Sequence, residues 1–532
     1  MAVFTTQVSH AQEALLSEVE QYYDSLSLQG LTQRPYLNFR TLSDSTWNIG
    51  REFEHPWQKN NLGTRRKAAD NVFMRIYGPE LFTSFNTKAP YGQNDGSLWQ
   101  GRGFNSSITG GIRFETRGLE LTYKPQLTFS QNLPFVILPS NYDSEYGYIW
   151  GYAHNVGVDA PQRFGDKHFF TYDWGDSEVR YTWKTFTAGF GNQAVWLGPA
   201  YLNPILHSNN APSYPKFDIG MRKQPVTIPG IGWYAGDMEF RLWTGRLNES
   251  DYFDNDNSNN HTMFNGLAFG YAPSFSPGLT FFFNRVCLVP WKTENFKYIF
   301  PQYDNTVEDQ KMSFGISYLL PEAGFEVYGE LGSDDFVSGS IFDGYTRYLL
   351  HTLAYTVGAK KIVKTSSGET YGELIFEWNN MEMSQDFQFQ WPYSFYFHHQ
   401  IIHGYTNKGQ LIANGIGVGG NSQFLGFKRY YPKGSASVFV QRNNPDNNFL
   451  YSKAVEASAT KDDLNNKYVQ NWKANFIAGV DSLFFPVSNL IIGGEITYNY
   501  IMNPFYYYYK DDPWKDEKQH NFSLRFSVKY QF

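Results

Sequence analysis

The sequence contains one cysteine and no long apolar run. Cys287 is the single cysteine among 532 residues, which excludes a disulfide within the chain and a zinc site built on cysteines. No apolar run approaches the ~18 residues that a membrane-spanning helix needs, so a helical membrane bundle is excluded. The mean hydropathy of -0.48 does not exclude a water-filled β-barrel, because only one strand residue in two faces lipid there.

Charged residues are also scarce, at 18% of the chain, and the net charge is -7. This negative balance argues against nucleic acid as a partner. The motifs H-E-x-x-H and G-x-S-x-G and the P-loop are absent. We therefore predict a protein that is not an enzyme, although an enzyme whose acid and base residues are scattered over loops stays open.

Two clusters of polar residues contain side chains that could bind a metal ion. Asp251, Asp254 and Asp256 lie among asparagines, but the spacing lacks the twelve-residue loop and closing Glu of an EF-hand. His399 and His403 are four residues apart, but on a segment that is typical of strand and loop instead of helix. We predict no metal site and no cofactor.

Aromatic residues, by contrast, are abundant. The chain has 39 Tyr, 46 Phe and 14 Trp, which make up 19% of its residues. The aromatic girdles of membrane β-barrels use these residues heavily, because their rings suit the boundary between headgroups and hydrocarbon. The composition therefore favours a membrane β-barrel.

The segment from Phe522 to Phe532 alternates apolar and polar residues without a fault. Successive strand side chains point to opposite faces, so this strand has one apolar and one polar face. A soluble sandwich could contain such a strand, but the pattern recurs throughout the chain. Hairpin patterns occur at 112–129, 312–331, 353–378 and 472–500.

The polar faces of these strands separate a barrel from a sandwich. They carry many carboxylates and amides, among them Glu326, Glu330, Glu373 and Glu377. Burial of these groups in a dry core would cost several kcal/mol apiece, roughly, whereas a wet lumen accepts them. We predict an all-β fold, a transmembrane antiparallel up-and-down β-barrel of about 18 strands, within a range of 16–20.

The chain divides into three predicted regions. Residues 1–11 are a signal-peptide remnant or a disordered end, because Ser9-His10-Ala11 resembles a cleavage site. Residues 12–70 form an N-terminal periplasmic α-helical region: a helix over 12–30, then short helices and loops. Residues 71–532 form the barrel, whose last strand is expected to pair with a first strand near residue 72.

One segment is not explained by alternation. It contains Trp196, Gly198 and Pro199, followed by Ser208-Asn209-Asn210-Ala211, and it resembles the signature of the Wzi capsule-assembly family. Leu197 and Ala200 depart from that signature. Weaker likenesses, including the motif at 91–103, extend the resemblance from about residue 22 to the C-terminus. The resemblance implies an 18-stranded outer-membrane β-barrel with a periplasmic helical bundle, which holds capsular polysaccharide as a lectin.

Aromatic residues in the long loops are the candidate glycan-binding residues, because aromatic rings stack on the apolar faces of sugars. The alternative is that they belong to the interfacial belt or pack the loops together. The candidates are Tyr142, Tyr146, Trp150, Trp174, Trp391, Tyr393 and Trp514.

These observations predict a non-enzymatic protein of the bacterial outer membrane that attaches or organises surface polysaccharide. An outer-membrane porin or substrate-specific channel is the alternative. The predicted partners are surface or capsular polysaccharide, outer-membrane lipid, and the barrel-assembly machinery, which would read the C-terminal strand ending at Phe532. We expect a monomer.

Overall fold

The structure, a computed structural model, is a closed antiparallel β-barrel of 18 wall strands within its described residues. Two of those wall strands are interrupted, so that β5 with β6, and β7 with β8, each form one strand of the wall. This confirms the predicted fold class and strand number. The described residues are 17–40, 47, 53–63, 65–140, 144–148, 157–300, 308–334, 353–365, 369–382, 395–446, 449, 463 and 471–532.

The strands fall into the wall and two small pairs, β1 with β10 and β19 with β20. In chain order they are β1 (Phe39–Arg40), β2 (Arg66–Ala69), β3 (Val72–Asn86), β4 (Gly103–Thr116), β5 (Leu119–Tyr123), β6 (Gln126–Ser130), β7 (Phe169–Asp173), β8 (Glu178–Trp183), β9 (Phe186–Gly191), β10 (Trp196–Leu197), β11 (Lys216–Thr227), β12 (Tyr234–Asn248), β13 (His261–Pro273), β14 (Leu279–Pro290), β15 (Asp309–Leu320), β16 (Phe325–Asp334), β17 (Leu353–Lys364), β18 (Tyr371–Asn380), β19 (Thr406–Asn407), β20 (Gln410–Leu411), β21 (Asn421–Tyr431), β22 (Gly434–Asn444), β23 (Ala474–Phe484), β24 (Leu490–Met502) and β25 (Lys518–Tyr530).

Helices are few and short in the described part of the chain. They are α1 (Glu18–Ser27), α2 (Pro513–Asp516) and the 3₁₀ helices Thr293–Ile299 and Pro321–Ala323. None of these described helices has both the length and the apolar character that crossing a membrane requires.

The barrel closes where β25 pairs with β3. The register runs from Ser523 opposite Asn86 to Lys529 opposite Glu80, which confirms the predicted pairing of the last strand with a strand near residue 72. Closure satisfies the backbone donors and acceptors that would otherwise lie at two free sheet edges, a requirement for strands in lipid.

The alternation of β25 sorts its side chains between the two faces of the wall. Phe522, Leu524 and Phe526 are 49%, 50% and 47% exposed on the outer face, whereas Asn521 and Ser523 are buried on the lumen side. The apolar outer face suits lipid and the polar inner face suits the lumen.

The N-terminal segment lies inside one end of the barrel. The expected helix is observed as α1, where Ser17 caps the first turn by accepting the Glu20 N–H at 3.2 Å; residues 12–16 lie outside the described residues. Its buried face packs with Trp57 against Tyr430 and Phe485, beside the short hairpin turns. Residues 31–70 were expected to hold helices and loops, but β2 extends the wall beside β3. The division at residue 70 stays a prediction.

Candidate functional site: the lumen plug and its cavity

Three segments fold into the lumen and form what we call the plug: 91–101, 192–215 and 395–418. Ser208 of the signature segment lies at their junction. Its backbone N–H donates to the Ile412 carbonyl at 3.0 Å, and its hydroxyl donates to the Ala413 carbonyl. The Asn210 side chain donates to the Leu411 carbonyl at 3.0 Å. The signature therefore ties the second and third segments together.

The same asparagines also bind the first segment. The Gly96 N–H donates to the Asn209 carbonyl at 2.8 Å, and the Asn94 N–H donates to Asn210 Oδ1 at 3.1 Å. The Asn209 side chain in turn donates to the Asn94 carbonyl at 3.3 Å. An asparagine amide can donate and accept at once, which explains how two neighbouring residues join three segments.

The start of the signature is a buried turn. Trp196 and Leu197 form β10, which pairs with β1, and the Trp196 indole donates to the Ala200 carbonyl at 3.1 Å. Gly198 has φ +78, and a Cβ there would lie 3.2 Å from Glu330 Oε2, so both the backbone and the space favour glycine. Pro199 is half-buried, and Ala200 and Ala211 are buried.

Lumen carboxylates hold the plug to the wall. Glu377 accepts the backbone N–H groups of Tyr201 at 2.6 Å and Asn203 at 2.9 Å. Glu326 binds Arg34 of the N-terminal segment through an N–O contact of 2.7 Å. The expectation of a wet lumen around these groups is therefore wrong here. The N-terminal segment supplies the donor for Glu326 and the plug supplies the donors for Glu377, and pairing makes burial of the charges tolerable.

A cavity of about 850 Å³ remains between the plug and strands β3, β4 and β21 to β25. Its lining is rich in side-chain amides, with six asparagines and eight glutamines. The amide residues are Gln21, Gln93, Asn94, Gln100, Gln126, Gln162, Asn209, Asn210, Gln410, Gln441, Asn443, Asn475, Asn499 and Gln519. Such a lining offers donors and acceptors without net charge.

The ionic groups around the cavity bind one another. Arg525 contacts Glu495 at 3.2 Å and Lys529 contacts Glu80 at 3.3 Å, while Lys428 pairs with Glu18 of α1. In the loop at 91–101, Asp95 accepts from Gln100 Nε2 at 2.6 Å. Burial raises the pKa of Asp95 to about 6, because a desolvated carboxylate is disfavoured.

Three loops form a roof over the cavity at the end opposite the short turns. The Tyr148 hydroxyl donates to the Asp446 carboxylate, and the Tyr506 hydroxyl donates to the Pro445 carbonyl at 2.8 Å. The Tyr509 hydroxyl donates to the Ile137 carbonyl at 2.8 Å. Burial raises the pKa of Asp446 to about 7, and it lowers the pKa of the neighbouring Lys473 to about 8.

The predicted loop aromatics do not form one site in the described part of the chain. Trp174 lies between β7 and β8, where its ring meets those of Tyr123 and Tyr172 on the outer face. Tyr146 packs edge-on against Tyr252, and Trp514 is 93% exposed. Tyr142, Trp150, Trp391 and Tyr393 lie outside the described residues. The glycan-binding role of all seven stays a prediction.

The sequence reasoning did not single out most of the cavity lining. In the sequence, Asn475 and Asn499 are ordinary polar positions of alternating strands, and Asp446 belongs to no motif. A signal did exist for one part of the lining, because the motif at 91–96 resembles a family loop. The rest comes from separate strands and has no common spacing.

Comparison with known proteins supports the family resemblance. Residues 82–290 match the family model described as capsule assembly protein Wzi. The matched residues are similar to the Wzi capsule-assembly family. The match includes Trp196, Gly198, Pro199 and 208–211, so it confirms the resemblance seen in the sequence. Strands β21 to β25, which complete the cavity, lie outside the matched Wzi-family residues.

Solved structures share the barrel. One is Wzi of Escherichia coli, an outer-membrane protein described as a carbohydrate-binding β-barrel involved in group 1 capsule assembly. It is 12% identical, the alignment covers 86% of this chain and 85% of that chain, and the TM-score is 0.55, which shows a common fold. OccAB4 of Acinetobacter baumannii is 8% identical, with 86% and 97% coverage and a TM-score of 0.40. OprB of Pseudomonas putida is 11% identical, with 86% and 94% coverage and a TM-score of 0.36.

No curated protein sequence matches the chain significantly. The Wzi-family match and the closed barrel with its apolar outer face nevertheless establish the predicted location. The chain is an outer-membrane protein.

Proposed function

We propose that this protein attaches or organises capsular or other surface polysaccharide at the cell surface. It does so by binding the polysaccharide, without catalysis. The observation that carries the proposal is the Wzi-family match over 82–290, because the matched signature builds the plug beside the cavity. The related Escherichia coli barrel is described as carbohydrate-binding, which supports the same role here.

The chemistry of the lumen suits sugars. Sugar hydroxyls both donate and accept hydrogen bonds, and side-chain amides such as those around the cavity match both functions. Aromatic rings at the same surface, among them Tyr91 and Phe439, can pack against the apolar faces of pyranose rings. These two kinds of contact together favour a glycan over an apolar or strongly charged ligand.

The proposal is tested by deletion of the gene in its own strain. Cell-bound and shed polysaccharide are then separated by centrifugation and quantified. We expect the deletion strain to shed polysaccharide that the parent retains, and a plasmid copy to restore retention. Unchanged retention in the deletion strain would contradict the proposal.

A substrate-specific channel is the second candidate, and the extent of the cavity favours it. The lining runs from Ser17 and Glu18 beside the short turns to Tyr506 in the roof. Planar-bilayer recording of the purified protein separates the two functions. A closed lumen supports attachment, whereas a steady open conductance supports a channel.

A further inference from the structure

We infer that the lumen cavity is the glycan-binding site and that it takes an uncharged, hydroxyl-rich segment of the polysaccharide. The inference rests on the proposed function and adds the position of the site and the class of sugar. It differs from the sequence prediction, which placed binding on exposed loop aromatics.

Amides from adjacent strands form the wall of the site. Asn443 on β22 lies opposite Asn475 on β23, and Asn499 on β24 lies opposite Ile477 on β23. The side-chain oxygens of these three asparagines have no hydrogen-bond partner among the described residues, and Asn499 is only 4% exposed. A buried acceptor without a donor is unfavourable, and a sugar hydroxyl is a donor of the right size.

The opposite side of the site is the plug. Asn94, Asn209 and Asn210 line the cavity there, and hydrogen bonds among the plug segments hold their backbones in place. Tyr91 adds an aromatic ring, which is fixed by the Arg525 guanidinium 5.1 Å from its centre. Both sides of the cavity are therefore positioned before a ligand binds, which lowers the entropy cost of binding.

The charges around the cavity disfavour an acidic ligand. The lining has six carboxylates and five cationic side chains, so it presents no positive field that would attract a polyanion. Arg525, Lys428 and Lys529 are already paired with Glu495, Glu18 and Glu80. A uronate would be desolvated among six carboxylates while three of the five cationic groups are already engaged, and Lys88 and Lys473 are the cationic lining residues that remain, so binding of an acidic segment is unfavourable. A neutral segment avoids this cost.

The size of the cavity and its roof complete the assignment. About 850 Å³ lies within the range of 300 to 1,000 Å³, roughly, of small-molecule sites, so a short segment fits and a long chain does not. Hydrogen bonds from Tyr148, Tyr506 and Tyr509 join the described parts of the roof loops.

The test is direct binding by the full chain purified in detergent. The probes are an array of neutral hexose and N-acetylhexosamine oligosaccharides and a matched set of oligouronates. We expect neutral oligosaccharides to bind at least tenfold more tightly than oligouronates of equal length. Equal or tighter binding of the oligouronates, or no binding of any neutral probe, would overturn the inference.

Two variants locate the binding. In Asn475→Ala/Asn499→Ala the wall amides are lost, and the control is Asn257→Ala in an exposed loop. In Ile477→Trp the cavity is filled without loss of a polar contact, and the control is Val480→Trp on the outer face of the same strand. We expect both cavity variants to bind neutral oligosaccharides at least tenfold more weakly and both controls to bind normally. Heat-dependent gel mobility identifies variants that fold.

The outcomes separate this inference from the function on which it rests. If folded cavity variants bind neutral oligosaccharides as the wild type does, the cavity is not the site, while restored retention in the complemented strain still supports attachment. If the wild-type gene fails to restore retention, attachment itself is wrong.

Discussion

The carboxylate of Glu377 on β18 accepts the backbone N–H of Tyr201 in the plug at 2.6 Å. The same carboxylate accepts the N–H groups of the next two plug residues and the Tyr328 hydroxyl at 2.8 Å. With the Asn203 side-chain amide at 3.2 Å, one buried wall residue satisfies five donors, and the contact joins the wall to the signature segment.

Loss of this carboxylate should loosen the plug. We expect Glu377→Ala to lower the free energy of unfolding by about 3 kcal/mol, because hydrogen bonds to a charged group contribute roughly 1.5 to 3 kcal/mol each and buried donors are left unpaired. Unfolding in denaturant, followed by gel mobility, measures the change. Glu322→Ala, in an exposed turn, is the control, and equal stability of the two variants would contradict the prediction.

The Arg34 guanidinium should hold the N-terminal segment in the lumen. It contacts Glu326 at 2.7 Å and Asp24 of α1 at 2.8 Å. We expect Arg34→Ala to raise bilayer conductance several-fold, since Glu326 would remain as a buried, poorly paired charge. Arg66→Ala, on an exposed strand, should leave conductance at the wild-type level. A conductance of Arg34→Ala equal to wild type would show that the position of the N-terminal segment does not depend on this pair.

Acid should destabilise the plug through His207. Its Nε2 lies 2.7 Å from the Tyr214 hydroxyl and its Nδ1 lies 3.1 Å from the Ser208 carbonyl. Burial lowers the pKa of His207 to about 3, below the ordinary value near 6.5. The unfolded state therefore binds the extra proton first. Stability is full above about pH 6.5 and falls towards pH 3, by about 1.4 kcal/mol per pH unit.

Denaturant titrations between pH 7 and pH 4 measure this slope. His207→Gln should flatten it and lower stability at pH 7, whereas His168→Gln, at an exposed position, should keep the wild-type slope. An unchanged slope in His207→Gln would assign the acid sensitivity to other groups.

The terminal aromatic residue should matter for assembly more than for stability. Phe532 lies at the end of the wall beside Tyr530, with ring centres 4.9 Å apart, and the barrel-assembly machinery is predicted to read this strand. We expect Phe532 deletion to reduce folded protein in the outer membrane several-fold, measured by surface labelling. Phe275→Ala, in an exposed turn, is the control. Normal surface levels after Phe532 deletion would refute the predicted signal.

The sequence predicted the wall better than the lumen. The hairpin at 112–129 and the outward face of β25 follow from alternation and turn chemistry, which are local, and the pairing of β25 with β3 follows from closure of the barrel. The sequence also revealed the signature residues, but only as a motif and without their contacts. These residues join three plug segments by binding partners such as Ile412, which is about two hundred residues away along the chain.

The candidate glycan residues show the same limit. From the sequence, Trp174 is expected to be an exposed aromatic residue of a loop. In the structure it packs with Tyr123 and Tyr172 on the outer face of the barrel. Asn475 and Asn499 are ordinary lumen positions in the sequence, yet they line the cavity. Whether a residue lies in an exposed loop depends on its neighbours in the sequence. A cavity, by contrast, is formed by strands and plug segments that are distant in the sequence and meet only in the folded protein.

The sequence by itself determined the barrel and its outward face, because side-chain alternation is a property of each strand alone, and it limited the strand number to roughly 16–20. Only the tertiary structure decided that the lumen carboxylates bind a plug and that a cavity remains beside it. The physical reason is that contacts such as Arg34 with Glu326, 292 residues apart, arise from closure of the wall around the plug and leave no periodic trace along the chain.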